Sequence, residues 1–136
     1  MPDQIARVDY YIGAIPNKAG EGARVLKAFR EAGLNLTGFF GYKKSARLSE
    51  IVIVVDEKTK PAPVARKVGV ALEKGKGFLI EGDDRPGALA EYAEKLAGAG
   101  ININSLHGLC AGAGRFGALL TVDAADMRKA GKLLGV

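Results

Sequence analysis

Apolar residues recur along this chain at two different spacings, and the switches between them predict its elements. Leu89, Tyr92, Ala93, Leu96 and Ala97 fall on one stripe of helical period. Ahead of them, Asp83-Asp84-Arg85-Pro86-Gly87 reads as a tight acidic turn, with Pro86 suited to a first helical turn. Gly100 suits a left-handed close to that helix. Ile101-Asn102-Ile103-Asn104 then alternates with the period of a strand that buries one face.

The same succession occurs earlier in the chain. Ala32-Gly33-Leu34-Asn35-Leu36 matches Ala99-Gly100-Ile101-Asn102-Ile103, an offset of 67 residues from Gly33 to Gly100. Held without gaps, that offset pairs Gly20 with Gly87, Ala23 with Ala90, Gly41 with Gly108, and Val55-Asp56 with Val122-Asp123. Apolar classes persist between these points, as in Val25 with Tyr92 and Phe29 with Leu96. The chain reads as two tandem copies of one unit.

In order, the first copy predicts a strand over 6–15, a turn over 16–20, and a helix to about Ala32 that turns Val25, Leu26 and Phe29 inward. A strand over 34–43, a polar hairpin and a strand over 48–55 follow. Ile51-Val52-Ile53-Val54-Val55 is apolar without alternation, so both sheet faces are expected to be covered there. A second helix is expected over 61–73, with Val64, Val68, Ala71 and Leu72 on one side. Gly75-Lys76-Gly77 reads as a break between the copies. The second copy runs as strand 78–81, turn, helix, strand 101–110, glycine-rich connection, strand 115–122 and helix 124–134.

Each copy is therefore β-α-β-β-α, over residues 1–74 and 75–136. The fold class is α+β: two ferredoxin-like units, an antiparallel sheet with helices on one face. The pattern leaves no segment for the fourth strand such a unit usually has.

A unit of about 65 to 70 residues is marginal alone, which favours paired units or a homodimer. The basic excess, a net charge of +5, raises the question of nucleic acid. Its 20 Lys and Arg residues are dispersed, however, and several pair with acids on helix faces, so a solvated surface is the reading. No apolar run reaches membrane-spanning length, and the opening to Arg7 lacks the apolar core of a signal peptide. A single cysteine excludes an intramolecular disulfide, and a cytoplasmic location is expected.

One histidine, His107, and one cysteine, Cys110, on opposite faces of a strand build no acid–base–nucleophile set and no metal site. No catalytic residue, metal or cofactor is expected. Gly108, Gly112, Gly114 and Gly117 lie between two strands rather than opening a helix, so they read as a flexible hairpin, not a phosphate loop. Tyr10, Tyr11, Phe39 and Phe40 near Lys43, Lys44 and Arg47 offer an alternative, a ferredoxin-like RNA-binding module that stacks bases on sheet aromatics. The segment Leu48-Ser49-Glu50-Ile51-Val52-Ile53 lacks the glycine and aromatics of such a module.

The tandem pattern, with Asp-x-Pro-Gly-x-Leu opening a helix at Asp84–Leu89 and Ala-Gly-Ile-Asn-Ile closing it at 99–103, resembles the ACT domain. That family supplies amino-acid-sensing regulatory modules to aspartokinases, phosphoglycerate dehydrogenases and acetohydroxyacid synthases. The first copy departs from it in having Ala19 in place of proline. Ile15 and Gly82 stand where some serine-sensing members have a polar residue. The resemblance implies a non-catalytic sensor with a free amino acid as effector, a homodimer, and a separate enzyme as partner. It places the effector between the turn of one unit and the second strand of its neighbour. Carried over, the turn supplies Asp84 and Gly87, or Asn17 and Gly20, and the strand supplies Asn102 or Asn35.

Chemistry supports those positions. The free N–H groups of a helix start at Gly87, Ala88 and Leu89, just after Pro86, attract a carboxylate. Asp83 or Asp84 can pair with an ammonium group, and the Asn102 amide, beside Ile103, both donates and accepts. The bland alternative is that Asp84 only caps the helix and Asn102 only ties down a strand end.

Overall fold

The computed structural model describes residues 3–136. It contains strands β1 (Gln4–Pro16), β2 (Gly38–Lys43), β3 (Leu48–Val54), β4 (Glu73–Asp83), β5 (Ile103–Cys110) and β6 (Arg115–Val122). The helices are α1 (Glu21–Glu31), α2 (Pro61–Lys67), α3 (Ala88–Gly98) and α4 (Met127–Leu134), the last led by a 3-10 turn over Ala124–Asp126. The chain divides into two compact units, Asp9–Gly75 and the residues up to Val8 with Lys76–Val136.

In the Asp9–Gly75 unit the strand order is β2-β3-β1, with the first residues of β4 next to β1. Odd-numbered residues of β1 and β3, Tyr11, Ile15, Ile51 and Ile53, with Val55 just past β3, share one core with Val25, Phe29 and Ala65 of α1 and α2. Val52 and Val54 point to the other face and are buried as well, which is why the β3 segment reads as an unbroken apolar run.

The second unit orders β5-β6-β4, with the opening residues of β1 next to β4. Here the even-numbered Phe78, Ile80, Phe116, Ala118, Leu120 and Val122 form a core with Tyr92 and Leu96 of α3 and Met127, Ala130 and Leu134 of α4. The change from odd to even follows from the offset of 67, an odd number of residues. Strand registers repeat at that spacing: Ile15 pairs with Ser49 as Gly82 pairs with Phe116, and Gly41 with Ile51 as Gly108 with Ala118.

The fourth strand missing from the sequence pattern comes from the division of β1 and β4. Residues 73–75 of β4 complete the first unit, where Lys74 Nζ lies 3.3 Å from Asp9. The opening of β1 completes the second, where Asp3 lies against Gly82. The residues before Asp9 thus group with the second unit, although a division at 74/75 assigns them to the first.

Several boundaries differ from the periodicity reading. The glycines of Gly75-Lys76-Gly77 interrupt nothing and lie inside β4. Gly75 is there because any side chain would strike the Tyr10 ring, a close approach of the kind that calls for glycine inside a strand. Helix α2 stops at Lys67, ahead of Gly69 at φ 79°, so Val70 enters the core from a non-helical segment and Ala71 is exposed. Leu26 is 41% exposed, because Val25 and Phe29, four apart, already fill the inward stripe of α1. β2 begins only at Gly38, and residues 34–37 lie outside the ladder.

Candidate functional site

The turn before the first helix of each copy is built by the same bonds. The backbone N–H of Asn17 donates to the Arg47 carbonyl at 2.8 Å, and that of Asp84 to the Gly114 carbonyl at 2.8 Å. Glu21 N–H donates to Lys18 at 3.2 Å, and Ala88 N–H to Arg85 at 3.2 Å. Gly20 and Gly87 then turn the chain into the helix at φ 91° and 75°, in the left-handed region where a side chain is strained. No side chain caps α1 or α3, and the space beyond both glycines is open. The Ala88 N–H, expected to be free, is spent on Arg85, as that of Glu21 is on Lys18, so the open space at each helix start meets fewer free donors than expected.

Beside each turn lies a recess. The second unit's, about 330 Å³, is lined by Asp84, Arg85, Gly87, Ala88 and Leu89 from the turn and helix, and by Gly108, Leu109, Cys110 and Phe116 from β5 and β6. Its counterpart, about 290 Å³, is lined by Asn17, Lys18, Gly22, Gly41, Tyr42, Lys43 and Ser49, together with Ile15, Pro16, Phe39 and Ile51. Seven of these positions correspond at the repeat offset, so one recess has been kept in both copies.

The fold brings Asp84, Gly87, Ala88 and Leu89 together. Asp84 and Gly87 are exposed, Ala88 is buried, and Leu89 is half-buried. The other positions lie elsewhere. Pro86 is exposed and precedes the first residue of α3. Asp83 accepts from Arg115 Nη1 at 2.9 Å, and that bond holds its carboxyl below the usual range. Asn102 and Asn35 are exposed, Asn102 just ahead of β5 and Asn35 in the segment before β2; Asn102 is roughly 20 Å of extended chain from Gly108, where β5 reaches the recess. Asn102 Nδ2 reaches only Asn104 Oδ1, at 3.5 Å, and Ile103 packs on the core. Asn17 is committed: its Nδ2 donates to the Ala46 carbonyl at 3.2 Å and its Oδ1 accepts from Ser49 at 3.2 Å. Gly20 starts α1 but does not itself line its recess.

Periodicity missed a polar knot on the other side of the second turn. The Arg85 guanidinium donates to Asp3 at 3.2 Å, to Glu91 at 3.0 Å and to the Asp83 carbonyl at 3.0 Å. Tyr92 donates its hydroxyl to the same Asp3 carboxylate. The Tyr92 and Arg85 bonds hold the Asp3 carboxyl below its usual range. Burial, followed by the Asp3 bond, pushes the Tyr92 phenol up to about 12. In the first unit, Glu50 accepts from Tyr42 and from Lys44 at 2.9 Å, and both bonds lower its carboxyl. Only Arg85, inside the turn motif, gave any sequence signal; Asp3 lies 82 residues away.

Of the aromatics in the RNA alternative, Tyr10 and Phe40 are half-buried. Tyr11 is buried in the core and Phe39 packs against it. Among the described residues, no helix is long and apolar enough to cross a membrane.

No protein-family model matches the sequence, and no curated protein matches it significantly. Solved structures do match along nearly the whole chain. A protein of Bacteroides thetaiotaomicron is 17% identical, with a TM-score of 0.82 over 96% of this chain and 88% of its own. The ligand-free regulatory subunit of aspartate kinase from Thermus thermophilus is 15% identical, with a TM-score of 0.70 over 98% and 94%. The corresponding subunit from Thermus flavus is 14% identical, with a TM-score of 0.69 over 99% and 95%. At these identities the likeness shows the fold: an α+β tandem of ACT-like units, as the sequence resemblance implies.

Proposed function

We propose that the protein is a non-catalytic regulatory module that binds a free amino acid at the helix-start turn of its ACT-like units and acts on a separate enzyme. The observation that carries this reading is the paired recess. The same turn, glycine, uncapped helix start and recess occur in both copies at a constant offset. A core-packing duplication has no need to keep an open recess twice.

The second recess complements a zwitterion. The uncapped start of α3 suits a carboxylate, Asp84 suits an ammonium group, and Leu89, Leu109 and Phe116 suit an aliphatic side chain. The likeness to aspartate kinase regulatory subunits supports the same class of role.

In this proposal a second copy of the chain supplies Asn102 and Asn35 to such a site. Two features support a homodimer on those terms. β2 and β5 are edge strands, and β5 carries Leu109 at 73% exposure. A cytoplasmic setting belongs to the same proposal. Screening the proteinogenic amino acids by thermal shift tests it, since a ligand of the folded state raises the melting temperature. At least one is expected to do so; if none does, the effector reading is wrong.

A further inference from the structure

We propose that the two recesses have diverged in ligand class: the Asp9–Gly75 unit takes a small molecule bearing only negative charge, a dicarboxylate or phosphate-like dianion. This rests on the reading of the recess as a ligand site. It departs from that reading in the chemistry the first copy accepts.

The argument is a comparison position by position. Where the second recess has Asp84, the first has Asn17, whose amide is spent on Ala46 and Ser49. An ammonium group thus loses its counter-charge. Where the second has the apolar Leu89, Leu109 and Phe116, the first has Gly22, Tyr42 and Ser49, and its apolar lining comes instead from Ile15, Phe39 and Ile51. Cys110 is replaced by Lys43.

The remaining pair, Arg85 and Lys18, decides the sign. Arg85 is neutralised by Asp3 and Glu91. The position equivalent to Glu91 is Arg24, so Lys18 has no such acid beside it. The nearby acids are taken, Glu50 by Lys44 at 2.9 Å and Glu21 by Arg24 at 2.8 Å. Two lysines therefore line the recess, with no carboxylate among its lining residues. The uncapped start of α1 adds its partial positive charge. Such a set of donors holds one dianion through charge-assisted hydrogen bonds and offers nothing to a cation. A volume of about 290 Å³ suits a molecule of that size.

Titration calorimetry on the full chain tests this, with sodium succinate and inorganic phosphate as probes and leucine alongside. At least one dianion is expected to bind, and which one identifies the source of the charge. Lys18→Gln and Lys43→Gln should each weaken it by roughly tenfold or more, the loss of a charge-assisted bond. Lys27→Gln, which removes the same charge from the exposed face of α1, should leave it unchanged. Binding of neither probe overturns the proposal, as does binding untouched by the Lys18 and Lys43 changes or weakened equally by Lys27→Gln. Amino-acid binding with no dianion binding sinks this inference alone. Dianion binding with no amino-acid binding leaves it standing and removes the effector reading.

Discussion

Asn17 and Asp84 occupy the same place in two copies of one turn, each donating its backbone N–H at 2.8 Å to the loop between the next two strands. Their side chains part company there: Asn17 is tied to Ala46 and Ser49, while Asp84 stays exposed on its recess. The backbone conserves a scaffold and the side chains decide what it holds.

Core energetics give the first prediction. Leu96 is fully buried among Phe78, Ile80, Tyr92 and Leu120, so Leu96→Ala should cost roughly 2–5 kcal/mol through lost transfer energy and a residual cavity. Leu26, 41% exposed, should cost well under half of that on the same change. Denaturant unfolding of both variants checks it. Equal losses would mean that the inward stripe of α1 is misplaced.

The second prediction concerns acid. Asp3 is held below its unfolded range by Tyr92 and Arg85, so its contribution is fully present above about pH 4 and fades as pH falls through its folded value. Wild type should melt higher than Asp3→Asn at neutral pH, and the gap should close on acidification below about pH 4. A gap that stays constant into acid would mean that the carboxylate's charge is not what Arg85 and Tyr92 hold.

Much of this architecture was legible because the chain is written twice. The period of 3.6 located α3 and, through the repeat, α1, and the unbroken run at Ile51-Val52-Ile53-Val54-Val55 marked β3 and announced two buried faces. Gly75 misled, because a strand glycine that makes room for Tyr10 reads like a linker glycine. The fourth strands were invisible because they are the far ends of β1 and β4, shared between units rather than written as separate segments. At the site, the turn motif found Asp84, Gly87, Ala88 and Leu89. The β5 and β6 walls, Gly108, Leu109 and Phe116, come from distant registers that periodicity does not reveal.

The separation of Asn102 from the recess yields the third prediction. If a second copy supplies the asparagine, Asn102→Ala should weaken effector binding by roughly tenfold, with little loss of stability, since its amide makes one long bond. Mixing Asn102→Ala chains with Gly87→Val chains should restore part of the binding, because hybrid dimers join an intact turn to an intact asparagine. Calorimetry on the separate and mixed variants reads this. If mixing restores nothing while Asn102→Ala alone leaves affinity unchanged, the asparagine serves only its own strand.

The most direct measurement is calorimetric titration of the best amino acid from the thermal screen into wild type, Gly87→Val and Gly100→Val. Gly87 and Gly100 have nearly the same left-handed backbone, φ 75° and 76°, so both changes carry a similar strain of about 1–2 kcal/mol. Only Gly87 lines the recess; Gly100 lies past the other end of α3. Binding should be abolished in Gly87→Val and retained in Gly100→Val at comparable folded stability. Full affinity in a folded Gly87→Val chain would contradict the account.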